Sequence, residues 1–255
     1  MKQKRCTFFF ALVLLFGLAA LRPSTVALAH EGEEHTPLLD NLGDYHRVIT
    51  TNSEEAQAYF DQGLVLAYGF NHELAIKSFQ EALTYDPQCA MCYWGIAWAL
   101  GPNINLPMDP ALNDDAWAAL EQAQALAEDA SPVEQAFIKA LAARYSAEAP
   151  ENRADLDLAF AEAMGEVAAQ YPDDADALSF GAGLLAQLGE TDRTRDWAER
   201  ATIIEPDDFY MHYNLACAFA ILGEKDLALD RLERIMGPNA ISSLKEFMQH
   251  DSDLD

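Results

Sequence analysis

The stretch AYFDQGLVLAYGFNHELAIKSFQEALTYDP, Ala58 to Pro87, decides the fold. Its apolar residues recur at helical rather than strand spacing on either side of Gly69-Phe70-Asn71. The spacing predicts helices over 54–68 and 72–85 with a tight turn between them. Asn71 suits the N-cap of the second helix, because a short polar side chain there can accept a first-turn N–H. His72, beside it, is read as part of that turn, with a ligand role as the sharper alternative. Pro87 closes the unit, since proline cannot continue a helix.

The same unit recurs along the chain. Pro172 and Pro206 are 34 residues apart, and so are Gly189 and Gly223. Each of these glycines sits in a Leu-Gly-Glu turn between two alanine-rich amphipathic runs, AQLGETDRT and AILGEKDLA. Helix pairs are expected over 54–68 with 72–85, 90–100 with 113–128, 132–146 with 154–171, 174–188 with 191–204, and 208–222 with 225–236. A last short helix is expected at 241–249. Two segments rich in Pro, Asn and Asp, residues 101–115 and part of 146–155, read as loops that hold the residues extra to the repeat period. No segment shows the alternation of a strand.

A period of 34 with these residues resembles the tetratricopeptide repeat (TPR) family. In Ala58–Pro87 the family's bulky and small positions fall on Tyr59 and Gly63, and its second-helix positions on Ala75, Phe79, Ala82 and Pro87. In YMHYNLACAFAILGEKDLALDRLERI, Tyr210 to Ile235, they fall on Leu215, Ala216, Phe219, Gly223 and Ala228. Small residues let helix backbones cross closely and aromatic rings fill the space beside them. The resemblance implies an all-α fold, a TPR-type α-solenoid of about five helix hairpins in a right-handed superhelix. Residues 45–110 look more narrowly like an exported bacterial subgroup of TPR proteins, which implies a compartment and no reaction.

The first 29 residues differ from the rest. Lys2, Lys4 and Arg5 precede the apolar run Cys6 to Leu21, and Val26-Ala27-Leu28-Ala29 supplies an A-x-A site. This is the pattern of a secretory signal peptide. The expected organisation is a signal peptide at 1–29, an irregular lead-in at 30–52, the repeat array at 53–240 and a partial capping helix at 241–255. The expected location is periplasmic or secreted, with no membrane insertion after cleavage.

The chain carries 42 acidic and 16 basic residues. Four of the basic ones lie in the leader, so residues 30–255 carry 12 − 42 = −30 formal charges. A surface this acidic repels nucleic acid and favours cationic partners. The carboxylate clusters Asp173-Asp174-Ala175-Asp176 and Glu205-Pro206-Asp207-Asp208 follow repeat-closing prolines. They are read as solvated charges favouring the next helix start.

No nucleophile elbow, phosphate-binding glycine loop or metalloprotease pattern occurs, so no catalytic residue and no cofactor is expected. In a TPR array the first helix of each pair lines the concave groove. On this register the groove carries Phe60, Leu64 and Tyr68, then Met91, Trp94 and Trp98, then Tyr210, Tyr213 and Cys217. Asn103 and Asn105, in the insertion after Trp98, are candidates for a peptide backbone. The expected function is binding of a protein or peptide, with Phe60, Tyr68, Trp94, Trp98, Asn103, Asn105 and Tyr213 as the groove. The competing reading makes the rings core and the asparagines caps of their own loop.

An alternative function is metal or thiol handling. His30 and His35 form a weak candidate copper or zinc site at the new N-terminus. Cys89 and Cys92 form a C-x-x-C, but Tyr93 follows where c-type haem attachment needs histidine. At this spacing they are either a disulfide clasping a helix start or two packed thiols. Cys217 is read as a small buried residue.

Overall fold

Helices α1 (Glu54–Tyr68) and α2 (His72–Tyr85) form the first antiparallel pair of a computed structural model that describes residues 35–236, apart from 41, 44, 104 and 105. The leader, His30, Asn105 and the helix expected at 241–249 lie outside the described residues. Four more pairs follow: α3 (Ala90–Ala99) with α4 (Asn113–Leu126), α5 (Pro132–Ala142) with α6 (Ala154–Gln170), α7 (Ala175–Gln187) with α8 (Thr191–Ile204), and α9 (Phe209–Ile221) with α10 (Lys225–Ile235). Among the described residues there is no strand.

The helix starts are set by their caps. Ser53, Asn71, Asp174 and Asp208 each accept a first-turn N–H with a side-chain oxygen. Ser131 and Glu134 form a capping box on α5, with Pro132 at the first helical position. The turns inside the last two pairs close on Gly189 and Gly223, at φ 76° and 75°. There Glu190 donates to the Leu185 carbonyl and Glu224 to the Phe219 carbonyl. The left-handed backbone this demands favours glycine.

The first and fourth pairs are each locked by a ring on the second helix set against glycines. The Phe79 ring of α2 lies between Gly63 of α1 and Gly95 of α3, so close that a Cβ at either would fall 2.4 and 2.7 Å from it. Trp197 of α8 lies in the same way between Gly181 of α7 and Gly165 of α6. Phe79 is fully buried and Trp197 nearly so. The second helix of each pair also packs on the first helix of the next: α2 on α3, α4 on α5, α6 on α7, α8 on α9.

One boundary departs from expectation. Helix α5 ends at Ala142 rather than near residue 146, because Ala143 and Arg144 donate to carbonyls only three residues back. That tightening turns Arg144 and Tyr145 toward the insertion after α3. The Arg144 Nη2 donates to the Pro102 carbonyl at 2.7 Å, and the Tyr145 hydroxyl donates to the Ala97 carbonyl. The insertion is thereby fastened to the third pair.

Candidate binding trough

The first helices of the pairs, α1, α3, α5, α7 and α9, face a common trough, which is narrower than an open groove. Tyr68 at the end of α1 stacks on Phe180 of α7, with centroids 5.8 Å apart, and on Tyr210 of α9 at 6.0 Å. Trp98 of α3 reaches Phe180 at 5.1 Å, and Phe70 meets Tyr213 at 6.1 Å. The rings expected to line a groove therefore meet across it. Phe60 and Trp94 are buried rather than exposed to the groove. Phe60 is fully buried against Phe79 in the first pair, and Trp94 is buried against Phe137 and Trp98. Phe60 fills space between helices, while Trp94 lies beneath the trough rings, 5.5 Å from Trp98 and 6.2 Å from Phe180. Tyr68, Trp98 and Tyr213 remain at the trough.

The end of the trough formed by the starts of α5, α7 and α9 is filled by the lead-in. Along residues 45–49 the chain is extended: Tyr45, Arg47 and Ile49 turn inward while His46 and Val48 are exposed. This is the period of two of an extended segment. Its backbone is held by side chains rather than by a strand ladder. The Arg47 N–H donates to Asp61 at 3.1 Å, Ile49 to Gln57 at 3.0 Å and Thr50 to Glu134 at 2.6 Å. The Gln57 amide donates back to the Arg47 carbonyl, and the Tyr210 hydroxyl donates to that of Leu42. Farther out, Leu39 donates to Gln62, and the Tyr59 hydroxyl donates to the Thr36 carbonyl.

Arg47 is the centre of this contact. Its guanidinium pairs with Asp174 at 2.9 Å and with Asp176, and lies 4.4 Å from the centre of the Phe137 ring. Asp176 also accepts from the hydroxyls of Tyr45 and Tyr68, each at 3.2 Å. Burial pushes the Arg47 pKa down, but Asp176 and Asp174 more than reverse it, so the net displacement is upward. Burial, then Asp176, holds the phenols of Tyr45 and Tyr68 well above their ordinary range. Glu205 is pushed up to about 7, by burial first and then by Asp176, Asp208 and Asp174. The Asp174/Asp176 cluster is thus an arginine socket, not a solvated pair. The one sequence signal for it was an arginine just ahead of the array in a chain poor in cations.

The opposite end of the trough opens as a pocket of about 90 Å³ walled by Tyr68, Phe70, Trp98 and Phe180, with Gln187 and Asn214 among its polar lining. Phe70 occupies the position that Gly189 and Gly223 hold in the last two pairs, with the same turn bond, Asn71 N–H to the Leu66 carbonyl. Its φ is 61°, a left-handed backbone that costs a non-glycine residue about 1–2 kcal/mol. The ring at this strained position forms a pocket wall. Asn103 is engaged in its own loop. Its Oδ1 accepts from Leu106 at 2.8 Å, and its amide nitrogen donates to His72 Nε2 at 3.2 Å. His72 Nδ1 then donates to the Ala99 carbonyl at 2.9 Å. Asn103 and His72 therefore brace the pocket rim.

Cys89 and Cys92 are joined in a disulfide, Cα atoms 5.3 Å apart, and both residues are fully buried at the start of α3. The bridge is shielded from a thiol partner. His35 is exposed, and its Nδ1 lies 2.7 Å from a Glu81 carboxylate oxygen. Among the described residues, no three His, Cys, Asp or Glu side chains gather as a metal site. No helix among them is long and apolar enough to cross a membrane.

Among solved structures, two crystal structures of MamA resemble the chain at 18% identity. One covers 77% of this chain and 95% of its own, with a TM-score of 0.33; the other covers 70% and 91%, with a TM-score of 0.34. YrrB, described as a TPR protein with an unusual peptide-binding site, is similar at 17% identity over 76% of this chain and 93% of its own, with a TM-score of 0.31. No protein-family model matches the sequence, and no curated protein matches it. At this degree of overlap the fold assignment rests on the chain's own helix pairs: 34-residue spacing, glycine-closed turns, and rings seated between glycines. This is a TPR-type α-solenoid. Within the solenoid the trough is divided, one end closed by the lead-in and the other left as the aromatic pocket.

Proposed function

We propose that the chain is an exported, non-enzymatic scaffold that binds a protein or peptide segment through its concave trough. The observation that carries this reading is the pocket beside Trp98 and Phe180. It is open, walled by rings, and bordered by a backbone strained at Phe70. Its volume corresponds to about three waters, the scale of one side chain of a partner. Aromatic walls suit an apolar or aromatic side chain, and Arg144 in the lining disfavours a cation within the pocket itself. The formal charge of −26 favours a cationic partner segment and speeds its encounter, with a rate that falls as salt rises. Export rests on the basic, apolar and A-x-A segments of residues 1–29. Cleavage after Ala29 would leave the scaffold in the periplasm or outside the cell.

The test is a displayed peptide library selected on the purified protein. Selected peptides should lose at least tenfold in affinity for a Trp98→Ala, Phe180→Ala protein that keeps its helical circular dichroism. Unchanged affinity for every selected peptide would remove the pocket from the reading.

A further inference from the structure

We infer that the filled end of the trough is a recognition site for an extended cationic segment of the form aromatic–x–Arg–x–aliphatic–Thr, held in cis by residues 45–50 and able to take the same form from a partner chain. This deepens the scaffold reading and rests on it, but uses the other end of the trough.

The lead-in is bound as a separate peptide would be. Alternate side chains point inward, and its backbone N–H and carbonyl groups meet side chains of α1, α5 and α9. Preformed side-chain partners of this kind give affinity, and pockets for alternate residues give selectivity. Selectivity is concentrated at Arg47. Two carboxylates and the Phe137 face match the planar, forked guanidinium, which a lysine ammonium would not reproduce. Tyr45 fits between Tyr68 and Tyr210, with ring centroids at 5.6 and 5.7 Å. Thr50 caps the contact by donating both its N–H and its hydroxyl to Glu134.

The charge balance points to the same partner. With the lead-in withdrawn, Asp174 and Asp176 would face each other near Asp208 and Glu205 without a cation. Burial first, and Asp176 beside it, already hold the Glu205 and Asp208 carboxyls above their ordinary range with Arg47 in place. A partner lacking arginine would leave that repulsion uncompensated. The helix pairs lock through Gly63, Phe79 and Gly95 and through Gly165, Trp197 and Gly181, contacts the lead-in does not make. The site can therefore exchange its occupant while the array stays folded. A short tether raises the local concentration of the cis segment to about millimolar, so a partner segment binds measurably only when the tether is cut or the cis segment weakened.

The experiment uses the full chain with a site-specific protease sequence inserted between Thr51 and Ser53, cut after folding. A fluorescent peptide with the sequence of residues 43–51 is then titrated by anisotropy. The peptide should bind the cut protein and leave the uncut protein unbound at the same concentrations. A peptide with alanine in place of the arginine should bind at least tenfold more weakly. An uncut Arg47→Ala protein should gain peptide binding over wild type, and adding Asp174→Asn and Asp176→Asn should abolish it. The inference is overturned if the peptide does not bind the cut protein, if the arginine makes no difference, or if release of the lead-in destroys helicity. If these arms fail while the Trp98/Phe180 dependence of library peptides holds, the scaffold reading survives and only the cis-ligand inference falls.

Discussion

Arg47 and Asp176 are 129 residues apart in sequence and joined by an ion pair at the first turn of α7. Both side chains are largely withdrawn from water, at 16% and 14% exposure. Removing one partner from such a pair leaves an uncompensated charge, which costs about 3–5 kcal/mol when burial is complete. Arg47→Ala is therefore expected to destabilise by about 2–4 kcal/mol. Asp176→Asn added to it should cost little more, since one of the two charges left stranded is gone. A double-mutant cycle by urea denaturation measures the coupling, and strictly additive effects would contradict the contact.

The pH response follows from Glu205. Its pKa in the folded chain is about 7, against an ordinary 4.5, so the folded state binds this proton more tightly than the unfolded one. Its contribution to stability is then fully present below about pH 4.5 and is lost as pH rises through 7. Asp208 is displaced in the same direction, first by burial. Wild type should lose stability between pH 5 and 8 relative to Glu205→Gln. Parallel melting temperatures for the two proteins across that interval would rule the effect out.

The glycines around Phe79 and Trp197 give predictions of opposite sign. Gly63→Ala and Gly181→Ala drive a methyl into a buried ring and should destabilise by about 1–3 kcal/mol. Gly183 stands on the same helix as Gly181, yet a Cβ there meets nothing within 4 Å. Gly183→Ala should accordingly stabilise by about 0.5–1 kcal/mol through helix propensity alone. Chemical denaturation of the three proteins checks the contrast.

Phe70 offers a backbone test. Both Phe70→Ala and Phe70→Gly lose the ring, but only glycine adopts φ 61° without penalty. The glycine variant should be the more stable of the two by about 1 kcal/mol, although both fall below wild type because a buried ring is lost. An alanine variant as stable as the glycine one would mean that the turn has relaxed.

The helix pairs were legible because their determinants are local. Pro172 with Pro206, and Gly189 with Gly223, punctuate the chain 34 residues apart, and Ser53, Asn71, Asp174 and Asp208 cap where a cap is needed. The trough was less legible because its determinants are distant. Phe60, Trp94 and Trp98 share helical spacing, and only the approach of α7 and α9 to α1 separates core rings from wall rings. The lead-in was hidden for the same reason. Tyr45-His46-Arg47-Val48-Ile49 alternates over too few residues to announce an extended segment, and its carboxylate partners lie in repeat four. The early stop of α5 goes with bonds from Arg144 to the insertion and from Tyr145 to α3, which no local propensity encodes.

Stacked repeats ordinarily touch only their neighbours, so such arrays can fray from an end or melt in sections. Here the lead-in fastens the first pair to the third through Thr50 and Glu134, to the fourth through Arg47, and to the fifth through Leu42 and Tyr210. The polypeptide is in effect buckled like a belt, and its terminal helices should open to hydrogen exchange together with the whole rather than ahead of it.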